Sequence, residues 1–299
     1  MRPYRVVLRI CPTFGRPAAG RLLTALSAAV VAVAFLMAGP GGAGAADRAA
    51  TAQPIRQLTV ATYNVHHCQG TDGVLDIDRV ARNIAASHAD IVGVEELDNH
   101  YSARSNFADE PARIAADLGY HYVFAANLDT PSSTPGQPNS QYGTAIFSRY
   151  PIVETTHVLL PKSPDQEQRG LVGAEIDVNG RQIWFYNTHL AASSQVDRQA
   201  QADTLKQLID PTVAPTFLTG DLNAYEDDPE INTIDSFLSD LWPIAGHGTG
   251  YTFDSDDPKG RIDYIYASPG AVTPRLVRVS PIVPEASDHL LVAAIVAVP

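Results

Sequence analysis

The sequence predicts a single α/β domain in which mixed β-sheets pack face to face and helices lie outside them. Short apolar segments with strand character alternate with segments of helical periodicity in both halves of the chain. Between two of the strand segments lies the pair Asn179-Gly180, which is typical of a tight hairpin and therefore of antiparallel pairing. The 299 residues, of which 45% are hydrophobic, suffice for a large buried core.

The first 46 residues differ in composition from the rest. Residues 1–21 carry five arginines and no acid, residues 22–38 are apolar or small, and an Ala-Gly-Ala sequence ends at Ala45. This pattern predicts a signal peptide over residues 1–46, cleaved near Ala45 or Ala46, and hence a secreted, extracellular protein without stable membrane insertion after cleavage. The alternative is an N-terminal membrane anchor, because the apolar segment is close to the shortest that can span a bilayer. Residues 47–56 are predicted to be a flexible lead-in and residues 57–299 the folded domain.

The chain is acidic. Its formal net charge is −12, and loss of the five N-terminal arginines from the 21 basic residues leaves 16 against 33 acidic residues, a formal charge of −17. Such a field opposes the capture of nucleic acid, so nucleic acid is a possible partner that the charge does not favour. A bound divalent cation and local arginines can reverse the field at a site.

One cysteine, Cys68, remains after the first 46 residues are removed, so the mature chain has no internal disulfide and we expect a monomer. Its stability must then come from the core or from a bound metal. Because Cys68 follows His66 and His67, two interpretations stay open: a soft-metal site, or a buried and inert thiol.

Strands and helices alternate in the first half. Residues 58–63 alternate apolar and polar side chains as a strand does, and Asn64 follows them. Asp76 is placed to cap a helix whose apolar residues fall on one face. The next strand, 90–94, ends at Glu95-Glu96, of which only one residue faces a given side. The pattern further predicts a helix at 111–118, a strand at 121–125 and a loop at 127–140.

Strand segments dominate the second half. Four of them are predicted at residues 142–148, 152–160, 171–178 and 181–187. Ser193 or Ser194 caps a helix that runs to Ile209 and is stopped by Pro211. Apolar residues 214–218 predict a short buried strand, and residues 224–250 are irregular with short helical pieces. The chain closes with a strand at 261–266, the segment 272–283 and a strand at 290–298.

Polar side chains recur at or near the edges of these strands. They are Asn64, Glu96, His189, Asp221 with Asn223, Asp263, and the pair Asp288-His289. Taken singly, each has an alternative interpretation without a catalytic role: a strand-terminating Asn, a surface His, or an Asx turn at Asp221. Together they form a coherent set, in which carboxylates bind a divalent metal, a carboxylate or His activates water, and a His stabilises charge on a phosphoryl oxygen.

Asp221 and Asn223 are central to this hypothesis. Gly220 permits a sharp turn after the buried strand, and in an extended chain residues 221 and 223 direct their side chains to the same side. A carboxylate and a carboxamide side by side offer hard oxygen ligands for Mg²⁺ or a hold on an attacking water.

The sequence resembles the endonuclease/exonuclease/phosphatase superfamily, the DNase I-like fold, and within it the secreted bacterial members. The resemblance is carried, in family order, by Tyr63-Asn64-Val65, residues 90–96, residues 142–149, Asn187-Thr188-His189-Leu190, Gly220-Asp221-Leu222-Asn223, residues 261–265 and Ser287-Asp288-His289. It covers residues 57–299 and implies a catalytic domain with a four-layer α/β sandwich, two packed mixed β-sheets flanked by helices.

The resemblance also implies roles. Glu96 matches the principal metal ligand, and Asn64 and Asp288 match residues that complete the metal environment of Mg²⁺, or of Mn²⁺ or Ca²⁺. Asp221, with Asn223 beside it, matches the residue that orients or deprotonates the attacking water. The remaining matches are His289, which contacts phosphate, Asp263, which orients it, and His189, a second phosphate-contacting His.

Three positions depart from the family pattern. Glu95 stands where Gln is usual, Thr144 where Asn is usual, and His66 where abasic-site endonucleases have Asp, which argues against that branch. Phosphate contacts are a further expectation: Arg104 and Arg169 recur at places common in bacterial members, as does Arg198, and Tyr142 opens one of the matching motifs.

The prediction is therefore a secreted phosphoesterase that depends on a divalent metal and uses water as the nucleophile. A small phosphoester ranks first as substrate, because no Lys/Arg cluster suits nucleic acid and no aromatic-rich loop suits a lipid interface. A DNase-type endonuclease ranks second and a sphingomyelinase or phospholipase C third. A noncatalytic binding module on the same fold is the alternative of another class.

Overall fold

Two six-stranded mixed β-sheets lie face to face in the computed structural model, which describes residues 55–299. The predicted signal peptide and most of the predicted lead-in lie outside the described residues. The strands are β1 (Ile55–Asn64), β2 (Ile91–Asn99), β3 (His121–Thr130), β4 (Ser140–Ser148), β5 (Ile152–Leu159), β6 (Gly170–Val178), β7 (Arg181–His189), β8 (Thr216–Asp221), β9 (Ser239–Asp240), β10 (Asp263–Ala267), β11 (Thr273–Ser280) and β12 (Leu291–Val298). The helices are α1 (Ile77–Ser87), α2 (Glu110–Leu118), α3 (Gln195–Leu208), α4 (Pro229–Asp235) and α5 (Trp242–Ala245).

The first sheet has the strand order β11-β12-β1-β2-β4-β3 and the second the order β5-β6-β7-β8-β10-β9. One pair in each sheet is parallel, β1 with β2 and β7 with β8, and the other pairs are antiparallel. Helix α1 connects the first parallel pair and α3 the second, as a parallel pair requires a crossover. The prediction of mixed sheets from helical crossovers and a hairpin is thus confirmed.

The Asn179-Gly180 hairpin joins β6 to β7, with Val178 opposite Arg181. Both turn residues have positive φ, 56° and 88°. A two-residue turn of this kind matches the twist of the flanking strands, and Asn-Gly is the pair that adopts it at least cost.

Three hydrophobic clusters separate four layers. The middle cluster lies between the sheets and contains Leu58 and Val60 of β1 together with Phe185 and Phe217 of the second sheet. A second cluster packs α1 and α2 on the first sheet, and a third packs α3 and α4 on the second. Alternate residues of β1 enter different clusters, because neighbouring side chains of a strand point to opposite faces. The four-layer DNase I-like sandwich is confirmed.

Local capping signals are found where the sequence places them. The Asp76 carboxylate accepts a hydrogen bond from Arg79 N at 2.8 Å and caps α1, and Ser194 accepts from Asp197 N at 3.2 Å and caps α3. These interactions lie within one turn of chain, which is why the sequence alone predicts them. None of the helices within residues 55–299 is long and apolar enough to cross a membrane.

Several boundaries differ from the predictions because pairing between distant segments extends the strands. Strand β1 begins at Ile55, inside the predicted lead-in, since Ile55 pairs with Val298. Pairing between β3 and β4 shortens the predicted loop 127–140 to residues 131–139. Strand β2 continues through Glu95 and Glu96 to Asn99, with an irregularity between Val94 and Leu97. The two acids therefore lie within β2 and not at its end.

Candidate active site

The register of the sheets brings the predicted site residues together. In the parallel pair β7/β8, His189 lies beside Asp221, and in the antiparallel pair β8/β10, Asp263 lies opposite Asp221. In the other sheet, Asn64 at the end of β1 lies beside Glu95. The Asn64 side chain crosses to the second sheet and donates to Asp221 Oδ2 at 3.0 Å. The site therefore lies where the edges of the two sheets meet.

Asp221 is at the centre of the cluster and is 1% exposed. Its Oδ2 is 3.4 Å from His189 Nε2 and 3.6 Å from His289 Nε2, and its Oδ1 accepts from Asn223 N at 2.9 Å. Burial raises the pKa of Asp221 to about 7, with the positive charge of His289 acting in the opposite direction and the negative charge of Asp263 adding to the increase. A carboxylate with a pKa in this range can take a proton from water at neutral pH.

His289 is held as a cation. Its Nδ1 is 2.9 Å from Asp263 Oδ2, and both side chains are buried. Burial alone would lower the pKa of His289, but the carboxylates of Asp263 and Asp221 outweigh it and raise the pKa to about 10. The Phe253 ring covers one side of the imidazole, with 4.9 Å between the ring centroids. Nε2 is left facing Asp221, where an N–H can donate to a bound oxyanion.

His189 has the opposite character. Arg169 Nη1 lies 3.0 Å from His189 Nδ1, and a guanidinium has donors only, so Nδ1 accepts and carries no proton. The neutral ring is then protonated on Nε2, whose N–H is directed to Asp221 Oδ2 at 3.4 Å. The Asn223 side-chain amide lies 2.9 Å from the same nitrogen and can accept this N–H only through its oxygen. Burial, followed by the charges of Arg169 and His289, holds the pKa of His189 well below its usual value.

Asn223 reaches the site by a different route from the one predicted. The expectation of an extended chain from Asp221 to Asn223 is wrong, because Asn223 has φ of 48° and its N–H bonds back to the Asp221 carboxylate. This Asx turn is the alternative that the sequence had left open, and it is favoured because Asn tolerates the left-handed region. Its amide nevertheless contacts His189, so both side chains converge on one site.

The predicted metal ligands form the more open side of the cluster. Glu96 Oε1 lies 3.0 Å from Asn64 Nδ2, and Glu96 has φ of 61°, which turns its side chain away from that of the fully buried Glu95. Asp288 is one-third exposed and accepts from the Ser287 hydroxyl at 3.3 Å. His66 Nδ1 is 4.0 Å from Asp288 Oδ1 and has no hydrogen-bond partner among the described residues.

A second group could also hold a cation, since ligand atoms of Asp221, Asp263 and His289 lie within 4.8 Å of one another. Those atoms already face each other in the Asp263–His289–Asp221 interaction, and the raised pKa of His289 makes it a poor ligand. Glu96, Asn64 and Asp288 offer two carboxylates and a carboxamide, the hard oxygen donors suited to Mg²⁺, Mn²⁺ or Ca²⁺. We therefore favour Glu96, Asn64 and Asp288 as the set whose chemistry fits a divalent metal.

A model of the Endonuclease/Exonuclease/phosphatase family matches residues 61–289, a range that contains every residue of the cluster. The chain belongs to the endonuclease/exonuclease/phosphatase family.

Solved structures with this fold include members named for the family. The endonuclease/exonuclease/phosphatase from Beutenbergia cavernae is 29% identical, with a TM-score of 0.71 over 81% of this chain and 72% of that chain. The mannosyl-6-phosphatase of Bacteroides thetaiotaomicron is 21% identical, with a TM-score of 0.65 over 80% of this chain and 99% of that chain. Protein cwh43 of Schizosaccharomyces pombe is 28% identical over 169 residues. The matched segment covers 56% of this chain but only 16% of the length of that protein.

The arginines expected to contact phosphate in this family member are engaged by other residues. Arg169 is 7% exposed and is shared between His189 and Glu167 Oε1, the latter at 2.7 Å. Arg104 makes two bonds to Asp98, of 2.9 and 2.7 Å. Arg198 forms an ion pair with Glu230 and thereby joins α3 to α4. Their phosphate contacts stay predictions, and the structure gives each a partner within the protein.

The structure also shows the surroundings of Glu95 and Thr144, two of the positions that depart from the family pattern. Glu95 is fully buried, with Oε1 accepting from the Thr62 hydroxyl at 3.1 Å and Oε2 without a partner among the described residues. Burial, then the negative charges of Asp263 and Asp221, raise the pKa of Glu95 well above its usual value. When protonated, Glu95 resembles in shape the Gln that is usual there. Thr144 is buried, and its hydroxyl has no partner within residues 55–299.

The structure favours the buried and inert thiol over a soft-metal site at Cys68. Cys68 is fully buried, and burial raises its pKa well above the usual value, so the thiolate that a metal needs is disfavoured. His66, His67 and Cys68 all have positive φ, between 42° and 57°.

Three contributors were not anticipated from sequence: Glu167, which pairs with Arg169, Asp98, which holds Arg104, and Phe253, which covers His289. No local pattern marks them, because each acts through a residue distant in sequence or by covering another.

Proposed function

We propose that this protein is a divalent-metal-dependent phosphoesterase in which water attacks phosphorus directly. The observation that carries the proposal is the buried Asp221 carboxylate between a cationic and a neutral histidine, next to a set of hard oxygen ligands. This arrangement supplies a base, two N–H donors and a place for a cation within one cluster. Membership of the endonuclease/exonuclease/phosphatase family supports the same class of reaction.

Each residue of the cluster has a separate role in the reaction. Asp221 accepts the proton of the attacking water, for which its pKa of about 7 suits it. His289, kept charged by Asp263, donates to a phosphoryl oxygen on which negative charge develops. His189 donates through Nε2 without adding charge, and Asn64 fixes Asp221 through its 3.0 Å bond.

Glu96 and Asp288, with Asn64 beside them, are the residues that would hold the metal. When bound, a divalent cation neutralises phosphate charge and lowers the pKa of a coordinated water. The partial exposure of Asp288 leaves the position open to a substrate oxygen. The identity of the metal, Mg²⁺, Mn²⁺ or Ca²⁺, belongs to this proposal.

Among substrates we propose a small phosphoester first. The strongly acidic chain does not favour a polyanion, and the arginines near the site are paired with acids. One solved structure of the same fold is a mannosyl-6-phosphatase, which supports a low-molecular-weight phosphoester. An endonuclease is the second candidate and a phospholipase C the third. The basic and apolar N-terminus further supports secretion as part of the proposal.

A substrate panel tests the proposal. Purified protein is assayed on bis-p-nitrophenyl phosphate, p-nitrophenyl phosphate, supercoiled plasmid and sphingomyelin vesicles, each with Mg²⁺, Mn²⁺ or EDTA. We expect metal-dependent release of p-nitrophenol, loss of that activity in Glu96→Ala, and no loss in Asp117→Ala, an exposed acid on α2.

The outcomes separate the candidates. EDTA-sensitive nicking of the plasmid at far lower enzyme concentration would make the endonuclease the better assignment, and phosphocholine release the phospholipase. Hydrolysis that persists in EDTA and in Glu96→Ala would contradict the metal-dependent mechanism. Inactivity on all four substrates would support a binding module.

A further inference from the structure

A groove of about 710 Å³ opens beside the first sheet. Its lining comes from the segment after β2 and from the loop between β3 and β4, and includes His100, Tyr101, Phe107, Ser132, Ser133 and Gln137. No acidic residue, lysine or arginine is among its lining residues, although the chain as a whole is strongly acidic. The groove is therefore a neutral surface on a charged protein.

The lining combines flat apolar rings with hydroxyl and amide groups. Phe107 is 59% exposed, a large apolar ring that the fold leaves in contact with water. His100 and Phe107 both have positive φ, 53° and 54°, and the hydrogen bond from His100 N to Ala108 O closes the loop between them. This loop holds the exposed ring at the groove in a backbone conformation that costs free energy for a residue other than glycine.

A stack of side chains connects the groove to the site. The rings of Tyr101 and Tyr142 are 5.6 Å apart, and the Arg104 guanidinium lies over both, at 4.7 and 5.4 Å from their centroids. Asp98 fixes that guanidinium by two bonds. Tyr142 pairs with Asp98 across the ladder, two residues from Glu96. Tyr101, Tyr142 and Asp98 thus link the groove to the strand that carries Glu96.

We propose that this groove binds the uncharged, hydroxyl-rich remainder of the phosphoester, an oligosaccharide chain, while its phosphoryl group lies at Asp221 and His289. The inference rests on the proposed function and names its substrate class. Flat aromatic faces match the apolar faces of sugar rings, and serine and glutamine side chains match their hydroxyl groups as donors and acceptors. The absence of lining charges suits a ligand whose only charge is its phosphate.

The separation of the groove from the site favours a chain of sugars over a single one. None of the predicted site residues is among the lining residues of the groove, which begin at His100, four positions after Glu96. A phosphoester held at the site must therefore extend beyond the group bound there to reach the groove. The groove therefore binds the part of a longer substrate that lies away from the reacting phosphorus.

Other ligand classes fit the groove less well. Nucleic acid binds through cationic side chains along its phosphates, and the described lining residues contain none. Arg104, whose guanidinium lies over Tyr101, is bound to Asp98. A lipid tail needs a continuous apolar surface, whereas serine, threonine and glutamine interrupt this one.

Binding of unphosphorylated sugars tests the groove separately from catalysis. Maltotriose, cellotriose and mannotriose are titrated into wild-type protein, Phe107→Ala and Ile244→Ala, and binding is followed by amide NMR shifts. Ile244 lies on α5 and is 60% exposed, which matches Phe107 in exposure but not in place. We expect at least one trisaccharide to bind wild type and Ile244→Ala, with affinity about tenfold lower in Phe107→Ala.

A kinetic arm tests whether the groove serves the reaction. The ratio of kcat/KM for the 6-phosphate of the bound trisaccharide to that for p-nitrophenyl phosphate should fall about tenfold in Phe107→Ala and stay constant in Ile244→Ala. Equal ratios in both variants would overturn the inference, as would tighter binding of adenosine monophosphate or oligo-dT than of every trisaccharide. Sugar binding without hydrolysis of any ester would contradict the proposed function and leave the groove as a sugar site. Ester hydrolysis without sugar binding would refute the groove alone.

Discussion

The two histidines beside Asp221 differ because their second partners differ. Asp263 accepts from Nδ1 of His289 and keeps that ring charged, whereas Arg169 donates to Nδ1 of His189 and keeps that ring neutral. Two identical side chains next to the same carboxylate are thereby held in different protonation states, one cationic and one neutral. The burial of all five groups strengthens this effect, since interactions between charges are stronger where water is excluded.

Replacement of Arg169 by Met tests this account of His189. Loss of the guanidinium removes a positive charge and the donor at Nδ1, so the pKa of His189 should rise and its tautomer should no longer be fixed. Nitrogen NMR shifts of labelled histidine report both, and kcat should fall by about 10- to 100-fold, as for other partners that orient a catalytic imidazole. Arg113→Met, which breaks an exposed ion pair with Asp78, is the control. Unchanged His189 shifts in Arg169→Met would show that Arg169 does not set its protonation.

Glu95→Gln should stabilise the protein at neutral pH. The pKa of Glu95 is raised in the folded state above its ordinary value of 4.5, so its favourable contribution is complete below that pH and is lost as pH rises toward the folded-state pKa. Over that range the wild type loses about 1.4 kcal/mol per pH unit, whereas Gln cannot ionise. In EDTA, the difference in Tm between Glu95→Gln and wild type should therefore grow as the pH is raised above 5. Glu285→Gln, at an exposed position, should show no such trend, and a constant difference for Glu95→Gln would mean that Glu95 is not protonated in the fold.

At the scale of elements, close contact between β2 and the second sheet positions the site. Asn187 on β7 donates from Nδ2 to Val94 O and Ala145 O of the first sheet, at 3.2 and 3.3 Å. Thr219 on β8 donates to Asn187 Oδ1 at 2.9 Å. Gly93 makes room for this polar layer, because a Cβ built on it would lie 2.3 Å from Asn187 Oδ1 and 2.4 Å from Thr219 Oγ1.

Gly93→Ala should destabilise the protein by about 1–3 kcal/mol, the usual cost of an added methyl group in a packed interior. Chemical denaturation measures this cost for Gly93→Ala, for Asn187→Ala and for the double variant. Because Asn187→Ala removes one of the two side chains that the new methyl group meets and leaves Thr219 in place, the double variant should lose less than the sum of the two single changes. Strictly additive losses would indicate that the sheets separate enough to accommodate the methyl group.

The sequence predicts elements well where the determining contacts are local. The Asp76 cap, the Asn179-Gly180 turn and most strand centres depend on neighbouring residues and were predicted correctly. The bulge that carries Glu96 was not predicted, because it depends on strand pairing that only the folded chain provides. The Asx turn at Asn223 was an open alternative, which the side-chain contact with Asp221 decides. The same holds within the site: motifs marked residues that the structure brings together, but the Arg169–His189 contact has no local signal.

At the scale of the whole molecule, the site exists only when the two sheets are packed together. Asn64 of the first sheet bonds to Asp221 of the second, and Ser287 near the chain end donates to Asn64 O at 2.8 Å. Residues separated by more than two hundred positions thus meet at one point. A metal bound by Glu96, Asn64 and Asp288 would therefore bind the folded chain alone and add its binding free energy to stability.

Mg²⁺ or Mn²⁺ should consequently raise Tm. At a metal concentration about 100 times Kd the gain is about 2.7 kcal/mol, equivalent to about 5–10 °C for a chain of this size. Glu96→Ala should abolish the shift, and Asp117→Ala should retain it. If Glu96→Ala shows the full shift, the metal binds elsewhere.

The most direct test of the central claim is kcat/KM for bis-p-nitrophenyl phosphate, measured with saturating metal for wild type, Asp221→Ala and His289→Ala. The account predicts hydrolysis by wild type and losses of about 10³-fold or more in each variant, since one removes the base and the other a donor to the developing charge. Circular dichroism spectra like that of wild type would show that the fold is retained. Activity within tenfold of wild type in either variant would contradict the account.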